Sequence, residues 1–252
     1  MFQLHFSYMK RIGSITSLVV LAVACHTPSQ TTTNGMNTTN TTGLSKEEQS
    51  QGWMPLFDGR TLIGWHPYQN KNPHNWAAEN GVLHCTGSAE NHDRHVDLVT
   101  NDTFENFELA LDWKIAPKGN SGIMYLVTED APAAYESGPE YQLLDDAAYA
   151  ENLEDWQKTG ANYAMHPAPA AKPNPPGEWN HTRIVVNKGH VEHWLNGDKI
   201  VAYELWSEEW KKAKAAGKWK DTPGYGMAKS GRIALQDHGS EAWFRNIRIR
   251  KL

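Results

Sequence analysis

Polar side chains capable of acid–base chemistry recur on one face of two short candidate strands. In the first strand, alternation places Glu140 and Gln142 on one face and apolar side chains on the other. In the second, nearer the C-terminus, Gln236 and His238 likewise lie opposite apolar residues. A carboxyl and an imidazole group can remove and return protons, and amides can bind hydroxyl groups. We therefore take Glu140 and His238 as candidate catalytic residues and the two glutamines as candidate substrate-binding residues.

Four further polar residues complete the candidate site. Lys114 lies on the polar face of another alternating run, Asn120 follows the next turn, and Asp145 and Asp237 stand at strand ends. If these strands are neighbours in one concave sheet, all four residues converge with the acid–base pair. Basic, acidic and amide groups on one concave face are what a sugar site needs. Lys114 is thus a third catalytic candidate, and the other three are candidate substrate-binding residues.

Each assignment has a structural alternative. Glu140 can be a solvent-facing strand residue, and His238 can be a turn histidine at a strand end. Asn120 and the residues after it can serve only to form a turn. Asp145 can cap a helix.

A sixth substrate-binding candidate and a candidate metal site remain open. His193 shares its strand parity with apolar neighbours, which favours a core position over substrate contact. Glu140, Asp237 and His238 could together bind a divalent metal ion, the only cofactor that the residues suggest. No tight ligand spacing demands such an ion.

The elements that must position these residues are mostly strands. One run alternates over nine residues, with these apolar side chains on a single face: Phe107, Leu109, Leu111, Trp113 and Ile115. Lys188-Gly189 and Asn196-Gly197 separate further short runs and are typical of tight hairpins. Frequent turns between short strands predict an all-β, antiparallel sandwich.

Two segments depart from the strand pattern. Ser207 to Gly217 begins with a helix-capping serine and acidic residues and ends with lysines and a glycine. These signals predict one short surface helix. Residues 145–178 contain a Pro-rich stretch at 167–176, which predicts a long loop, a common location for binding residues on a rigid sandwich.

The N-terminal residues 1–25 have the pattern of an export signal. Lys10 and Arg11 precede a short apolar run that ends at Cys25, as in a bacterial lipobox, although Leu21 lies four rather than three residues before the cysteine. We expect lipidation of Cys25 and anchoring to a bacterial membrane that faces the periplasm or the cell surface. An ordinary cleaved signal is the alternative. Residues 26–43 predict a flexible Thr/Asn-rich tether, and residues 44–252 a single sandwich domain.

Composition limits the classes of partner. The chain has 252 residues, a net charge of −5 and no block of Lys and Arg, which argues against nucleic acid. Its 11 tryptophans suit both a core and sugar-binding platforms. Cys85, in a predicted strand, is the one cysteine besides Cys25, which predicts an inert buried thiol and no disulfide within the domain. We expect a small carbohydrate as partner and a membrane only through the lipid; nothing in the sequence fixes an oligomeric state.

Several motifs, in order along the chain, resemble the 3-keto-disaccharide hydrolase domain family. The resemblance covers about residues 52–251 and rests on these segments: Gly52-Trp53-Met54-Pro55-Leu56-Phe57-Asp58-Gly59, Leu62-Ile63-Gly64-Trp65, Gly81-Val82-Leu83-His84-Cys85, Gly119-Asn120-Ser121-Gly122-Ile123, Gly138-Pro139-Glu140-Tyr141-Gln142-Leu143-Leu144-Asp145-Asp146, Gly177-Glu178-Trp179-Asn180, His193-Trp194-Leu195-Asn196-Gly197, Ile233-Ala234-Leu235-Gln236-Asp237-His238-Gly239 and Phe244-Arg245-Asn246-Ile247. The sequence departs from the family pattern at Leu126, at Asn162 and in residues 92–95.

The resemblance implies a concanavalin A-like jelly roll and substrates whose glucose ring carries a ketone at carbon 3. That ketone acidifies the proton on carbon 2, so a base can form an enolate that expels the group on carbon 1. Water can add afterwards. In this reading His238 or Glu140 is the base, and Lys114, Gln142 or a metal ion supports the enolate oxygen.

Two other functions compete with such a hydrolase or lyase. A non-catalytic carbohydrate-binding domain would keep aromatic platforms and tolerate loss of Glu140 and His238. A retaining glycosidase needs two carboxylates about 5–5.5 Å apart. Such enzymes often place both on one strand, but the position matching Glu140 on the same face is Leu144.

Overall fold

The structure, a computed structural model, describes residues 43–72, 74–87 and 95–252. The expected signal segment, Cys25 and all but the last residue of the expected tether lie outside these residues. Within them the chain forms thirteen strands: β1 (Met54–Pro55), β2 (Trp65–Pro67), β3 (Trp76–Glu79), β4 (Val82–Cys85), β5 (Leu98–Thr100), β6 (Phe107–Ile115), β7 (Asn120–Val127), β8 (Glu140–Leu144), β9 (Asn180–Asn187), β10 (His190–Leu195), β11 (Asp198–Glu204), β12 (Arg232–Leu235) and β13 (Ala242–Lys251).

The strands form two antiparallel sheets that enclose one large core. The first has eight strands in the order β11-β10-β9-β6-β13-β4-β3, with β1 paired to β13. The second has five strands in the order β2-β5-β12-β7-β8. This arrangement confirms the predicted sandwich of the jelly-roll type.

Alternation decides which side chains enter the core. The apolar face of β6 is buried, whereas Asp112 and Lys114 remain partly exposed on its other face. On β8, Tyr141 and Leu143 join the core between the sheets. Cys85 is buried and unpaired, and burial raises the pKa of its thiol, as an inert cysteine requires.

Both predicted hairpins have the backbone that their residues favour. Lys188 and Gly189 have φ angles of 53° and 92°, and Asn196 and Gly197 have φ angles of 50° and 97°. Two successive residues with positive φ define the type I′ turn, whose twist matches that of paired strands. These turns set the register of β9, β10 and β11.

The edge of the five-stranded sheet is covered by the long connection after β8. Gly160 donates a backbone hydrogen bond to Gln142 O (2.8 Å), Gln142 donates to Ala161 O (3.1 Å), and Tyr163 donates to Glu140 O (3.0 Å). The rest of the predicted loop contains short 3-10 turns at Asp146–Asn152 and Asp155–Gln157. The connection is thereby fixed to the strand that carries Glu140.

Two short α-helices lie among the described residues, one more than predicted. The expected helix is α2 (Glu208–Ala216), whose first turn is capped by Ser207. The additional helix, α1 (Lys46–Ser50), has a capping box between Ser45 and Glu48, a signal already readable as Ser-x-x-Glu. Within the described residues, no helix is long and apolar enough to cross a membrane.

Candidate active site

Three adjoining cavities open on the outer face of the five-stranded sheet. We call them the Glu140 cavity (about 310 Å³), the Asp97 cavity (about 280 Å³) and the side cavity (about 770 Å³), the last bounded by the 3-10 turn Asp146–Asn152. His238, exposed just beyond β12, lines all three. A histidine at this junction can reach a ligand in any of them.

The strand β8 places Glu140 and Gln142 in the Glu140 cavity, as alternation predicts. Their side chains are only 5% and 4% exposed. Gln142 Nε2 donates to Oδ1 of Asn120 on the neighbouring strand β7 (3.2 Å), so both amides are held in fixed positions. Three predicted residues are thus brought together, although Asn120 begins a strand and is not part of a turn.

Burial sets the protonation of Glu140. Loss of hydration, with a further contribution from the negative charge of Asp97, raises the pKa of its carboxyl group to about 8. The positive charge of Lys218 and a hydrogen bond from Gln236 act in the opposite direction. At neutral pH the carboxyl group is therefore mostly protonated and can donate a proton.

Gln236 lies at the end of β12 with an unused acceptor. Its backbone N–H donates to Gly122 O (2.9 Å), and its carbonyl accepts from Ser121 Oγ (2.8 Å), which fixes the residue against β7. Its side-chain oxygen is buried and has no hydrogen-bond partner among the described residues. A buried acceptor of this kind is costly unless a ligand hydroxyl or water donates to it.

Asp97 is a site residue that the sequence analysis missed. It lies directly before β5 and lines its own cavity beside Gln236 and His238. Burial, together with the nearby charge of Asp237, raises the pKa of Asp97 to about 7. The available signal is a lone acid between Val96 and Leu98 in an otherwise apolar run, because even a partly buried carboxyl group costs free energy when it is ionised.

The two predicted aspartates at strand ends have different places. Asp237 lines the Asp97 cavity, but its carboxylate accepts from Asn75 Nδ2 (2.9 Å) and from the backbone N–H of Val96 (3.3 Å) and Gly239 (3.0 Å). These bonds order the turn that carries His238. Asp145, in contrast, lines none of the three cavities and instead accepts from the backbone N–H of Lys118 (2.8 Å), so the structure does not bring it together with the other candidates.

Lys114 does not join the other candidate residues. It lies on β6, in the eight-stranded sheet, while the candidate site lies on the five-stranded one. Its ammonium group stands over the rings of Trp243 (4.5 Å to the centroid) and Trp179 (5.3 Å). Alternation gave the correct face of its strand, but it cannot tell which of two sheets a strand joins.

His193 is a core residue and lines none of the three cavities. It is fully buried between the sheets, and burial lowers its pKa to about 4, so the ring is neutral. Its Nδ1 donates to Gly160 O (2.9 Å), which leaves Nε2 to accept from the hydroxyl of Tyr125 (2.8 Å). Tyr125 then accepts from Tyr203 (2.5 Å). Through its hydrogen bond to Gly160, His193 therefore holds the segment that leads to Tyr163 from the core side.

Loops supply the remaining walls, and none of their residues was predicted. Tyr163 lines the Glu140 and side cavities, and Tyr135 lines the Glu140 and Asp97 cavities. Lys218 and Trp219, after α2, close the Glu140 cavity from the other side. Aromatic rings beside amides and acids are typical of sugar sites, but loop residues lack the periodicity that would reveal them.

The candidate metal ligands do not form a metal site. Over residues 43–72, 74–87 and 95–252, no three His, Cys, Asp or Glu side chains are grouped to hold an ion. The Asp237 carboxylate is already committed to Asn75 and backbone N–H groups. We therefore derive no chemical step from a metal ion.

Comparisons with known proteins point to one family. The 3-keto-disaccharide hydrolase of Bacteroides thetaiotaomicron is 33% identical over 231 residues, which cover 81% of this chain and 79% of that protein. The crystal structure of a candidate glycosyl hydrolase from Parabacteroides distasonis is 41% identical, with a TM-score of 0.76, over 83% of this chain and 98% of that one. A second such structure from the same organism is 33% identical, with a TM-score of 0.63, over 79% and 99%.

The family match covers nearly all of the described sandwich. It extends over residues 52–250 and so includes every strand from β1 to the penultimate residue of β13. The chain belongs to the 3-keto-alpha-glucoside-1,2-lyase-like domain family.

Proposed function

We propose that this protein is a carbohydrate-active hydrolase or lyase that cleaves glycosides whose glucose ring carries a ketone at carbon 3. The observation that carries the proposal is Glu140, a buried carboxyl group that is protonated at neutral pH among amides and aromatic rings. The family membership and the name of the Bacteroides relative support the substrate class.

The reaction needs one base and one acid on a keto sugar. The base takes the proton from carbon 2, and the electron pair of that C–H bond forms the C2=C3 bond of an enolate. When the enolate collapses, the carbonyl at carbon 3 reforms, a C1=C2 bond forms, and the C1–O bond breaks. The leaving oxygen takes a proton from the acid, and later addition of water gives net hydrolysis. Each proton transfer contributes about 10²–10⁴-fold.

The site supports a division of labour between Glu140 and His238. Glu140 holds a proton at neutral pH and so serves as the acid for the leaving group. His238 lies where the three cavities meet and serves as the base. Asp97, which lines the Asp97 cavity together with His238, is the second candidate for the base. Asn120, Gln142 and the unused Gln236 oxygen bind ring hydroxyl groups.

A carbohydrate-binding domain without catalysis is the second candidate. Tyr135, at the Glu140 cavity, and Tyr149, at the side cavity, are 40% and 44% exposed and could act as sugar platforms. Binding alone gives no reason to bury a carboxyl group that costs free energy when ionised. Glu140→Gln separates the two functions: an enzyme loses cleavage of a 3-keto-disaccharide, whereas a binding domain keeps its affinity and cleaves nothing in either form.

We also propose that the protein is exported and anchored through a lipid on Cys25. The support is the sequence alone: a charged start, an apolar run and small residues before the cysteine. Radiolabelled palmitate should be incorporated in a bacterial host, and Cys25→Ala should abolish the label and release the protein from the membrane. Labelling that persists in the variant would contradict the anchor.

A further inference from the structure

A lysine from a loop faces the buried acid of the candidate site. Lys218 begins the 3-10 turn Lys218–Asp221, which follows α2 and the helix-ending Gly217. Its side chain lines the Glu140 cavity, together with Tyr163 and Trp219. The sequence pattern predicts Lys114 as the lysine of the site, but Lys114 lies on the other sheet.

Three other lysines of the same segment have local partners. Lys211 pairs with Glu208 (2.7 Å), and Lys220 lies 3.9 Å from a carboxylate oxygen of Asp221. Lys214 donates to two backbone carbonyls, those of Pro223 (2.8 Å) and Tyr225 (3.0 Å). Lys218 pairs with neither a carboxylate within 4 Å nor a backbone carbonyl in the part of the chain that the structure describes, and its side chain lines the Glu140 cavity.

Two aromatic rings hold the ammonium group of Lys218 without neutralising it. Nζ lies 4.5 Å from the ring centroid of Tyr163 and 4.8 Å from that of Trp219. Cation–π contacts orient a positive charge, but they leave it able to attract a ligand anion. A carboxylate partner would have compensated that charge.

The wall that carries Lys218 is firmly packed. The ring of Trp219 stacks on Tyr225 (4.2 Å between centroids, 8° between planes), and its indole N–H donates to Tyr163 O (3.3 Å). The ring of Trp210 from α2 is also stacked with that of Tyr225 (6.3 Å, 3°). A catalytic charge must be held in place in this way to act without reorganisation.

The positive charge of Lys218 acts on the carboxyl group of Glu140. It lowers the pKa of Glu140, against the opposing effects of burial and Asp97. A positive charge in this position would also favour a negative charge that develops on a ligand in the same cavity.

We infer that Lys218 is the cation that stabilises the oxygen at carbon 3 of a bound keto sugar while the proton on carbon 2 is removed. The inference rests on the proposed function and adds a catalytic residue to it. As the C2–H bond breaks, its electron pair forms the C2=C3 bond. The π electron pair of the carbonyl group then moves onto the oxygen at carbon 3, next to the ammonium group of Lys218. Lys218 gives up no proton. The oxygen returns its electron pair when the C1–O bond breaks.

The test compares Lys218→Met, Lys218→Arg and the control Lys220→Met in the full protein with 3-keto-trehalose. Lys220 lies two residues away and is exposed, as Lys218 is, but it pairs with Asp221 and does not line the Glu140 cavity, so its loss should leave kcat within about twofold. Lys218→Met should lower kcat by about 10²–10³-fold, the usual cost of losing one oxyanion contact, with a smaller change in KM. Lys218→Arg should recover part of kcat.

The pH profile separates this role from mere packing. Lys218 lowers the pKa of Glu140. Lys218→Met should therefore shift the basic limb of the kcat–pH profile, which Glu140 governs, to higher pH, whereas Lys220→Met should leave that limb unchanged. A folded Lys218→Met variant with the kcat and pH profile of the wild type would overturn the inference.

A measurement without substrate keeps this test distinct from the proposed function. Infrared titration of the carboxyl band that disappears in Glu140→Gln gives the pKa of Glu140 in the free protein. A rise in Lys218→Met alone supports the placement of Lys218, even if no keto sugar is cleaved and the proposed function fails. An unchanged pKa would overturn the inference while leaving the proposed function intact.

Discussion

Gly122 on β7 makes room for the carboxyl group of Glu140 on the neighbouring strand β8. A Cβ atom at Gly122 would overlap Oε1 of Glu140 and lie 2.9 Å from its Cδ. The φ angle of Gly122 is not in the left-handed region, so the glycine is required by this contact and not by the backbone. The absence of a side chain at Gly122 thus leaves the space that the carboxyl group of Glu140 occupies.

Gly122→Ala should therefore impair the chemistry more than the fold. The added methyl group must push the carboxyl group away from its position, and we expect kcat to fall by about 10²-fold, since small displacements of catalytic groups have effects of this size. The cost in free energy of unfolding should be about 1–3 kcal/mol. The control is Gly224→Ala, where nothing lies within 4 Å of the new Cβ. Equal losses of activity in both variants would argue against a specific role for the contact.

The raised pKa of Glu140 predicts how stability and activity depend on pH. The pKa of this carboxyl group is about 8 in the folded protein, which is above its value in the unfolded chain. Its contribution to the free energy of unfolding is therefore fully present below the unfolded pKa and is lost as the pH rises through about 8. Each pKa unit of difference is worth about 1.4 kcal/mol. Glu140→Gln should therefore gain stability relative to the wild type between pH 5 and pH 9, measured by urea unfolding.

The same carboxyl group should govern the basic limb of the kcat profile. As the acid, Glu140 must be protonated, so kcat should fall as the pH rises through about 8. A wild-type profile that instead rises through this range would make Glu140 the base and reverse our assignment.

His193 should matter for stability and only indirectly for activity. His193→Phe would leave the hydroxyl of Tyr125 and the carbonyl of Gly160 buried without their partner, at a cost of about 2–4 kcal/mol. The control is His190→Phe on the same strand, because His190 is partly exposed and pairs with Glu204. Abolished cleavage with an unchanged free energy of unfolding would show instead that His193 acts on the substrate.

Lys114 should be dispensable for catalysis. It faces away from the site, on the eight-stranded sheet, so Lys114→Ala should leave kcat and KM within about threefold of the wild type. Loss of its contacts with Trp179 and Trp243 should cost about 0.5–1 kcal/mol of stability. A 100-fold loss of kcat in this variant would contradict the assignment of the site to the other sheet.

The sequence predicts faces of strands well because side chains alternate with a period of two. Glu140, Gln142 and Gln236 were assigned to the correct face from that rule alone, and the structure brings them together with Asn120. The same rule gives the correct face for Lys114 but not the sheet that its strand joins, because the pairing of strands over long distances leaves no local trace. His193 followed the rule, since its parity with apolar neighbours already favoured the core.

The walls of the site could not be predicted for a different reason. Tyr135, Tyr163 and Lys218 lie on loops, where no periodicity marks the side chains that turn inwards. Asp97 was readable in principle, as an acid within an apolar run. Its raised pKa, however, depends on burial beside Asp237, a residue 140 positions away along the chain.

The central claim is that this site removes the carbon 2 proton of a keto sugar, and a proton NMR time course in D₂O tests it most directly. The protein would be incubated with 3-keto-trehalose and, in parallel, with unoxidised trehalose. We expect cleavage of the keto sugar alone, with deuterium appearing at carbon 2 of the product or of recovered substrate, and loss of both signals in Glu140→Gln combined with His238→Ala. Cleavage of trehalose itself, or no cleavage but line broadening of both sugars, would contradict the account.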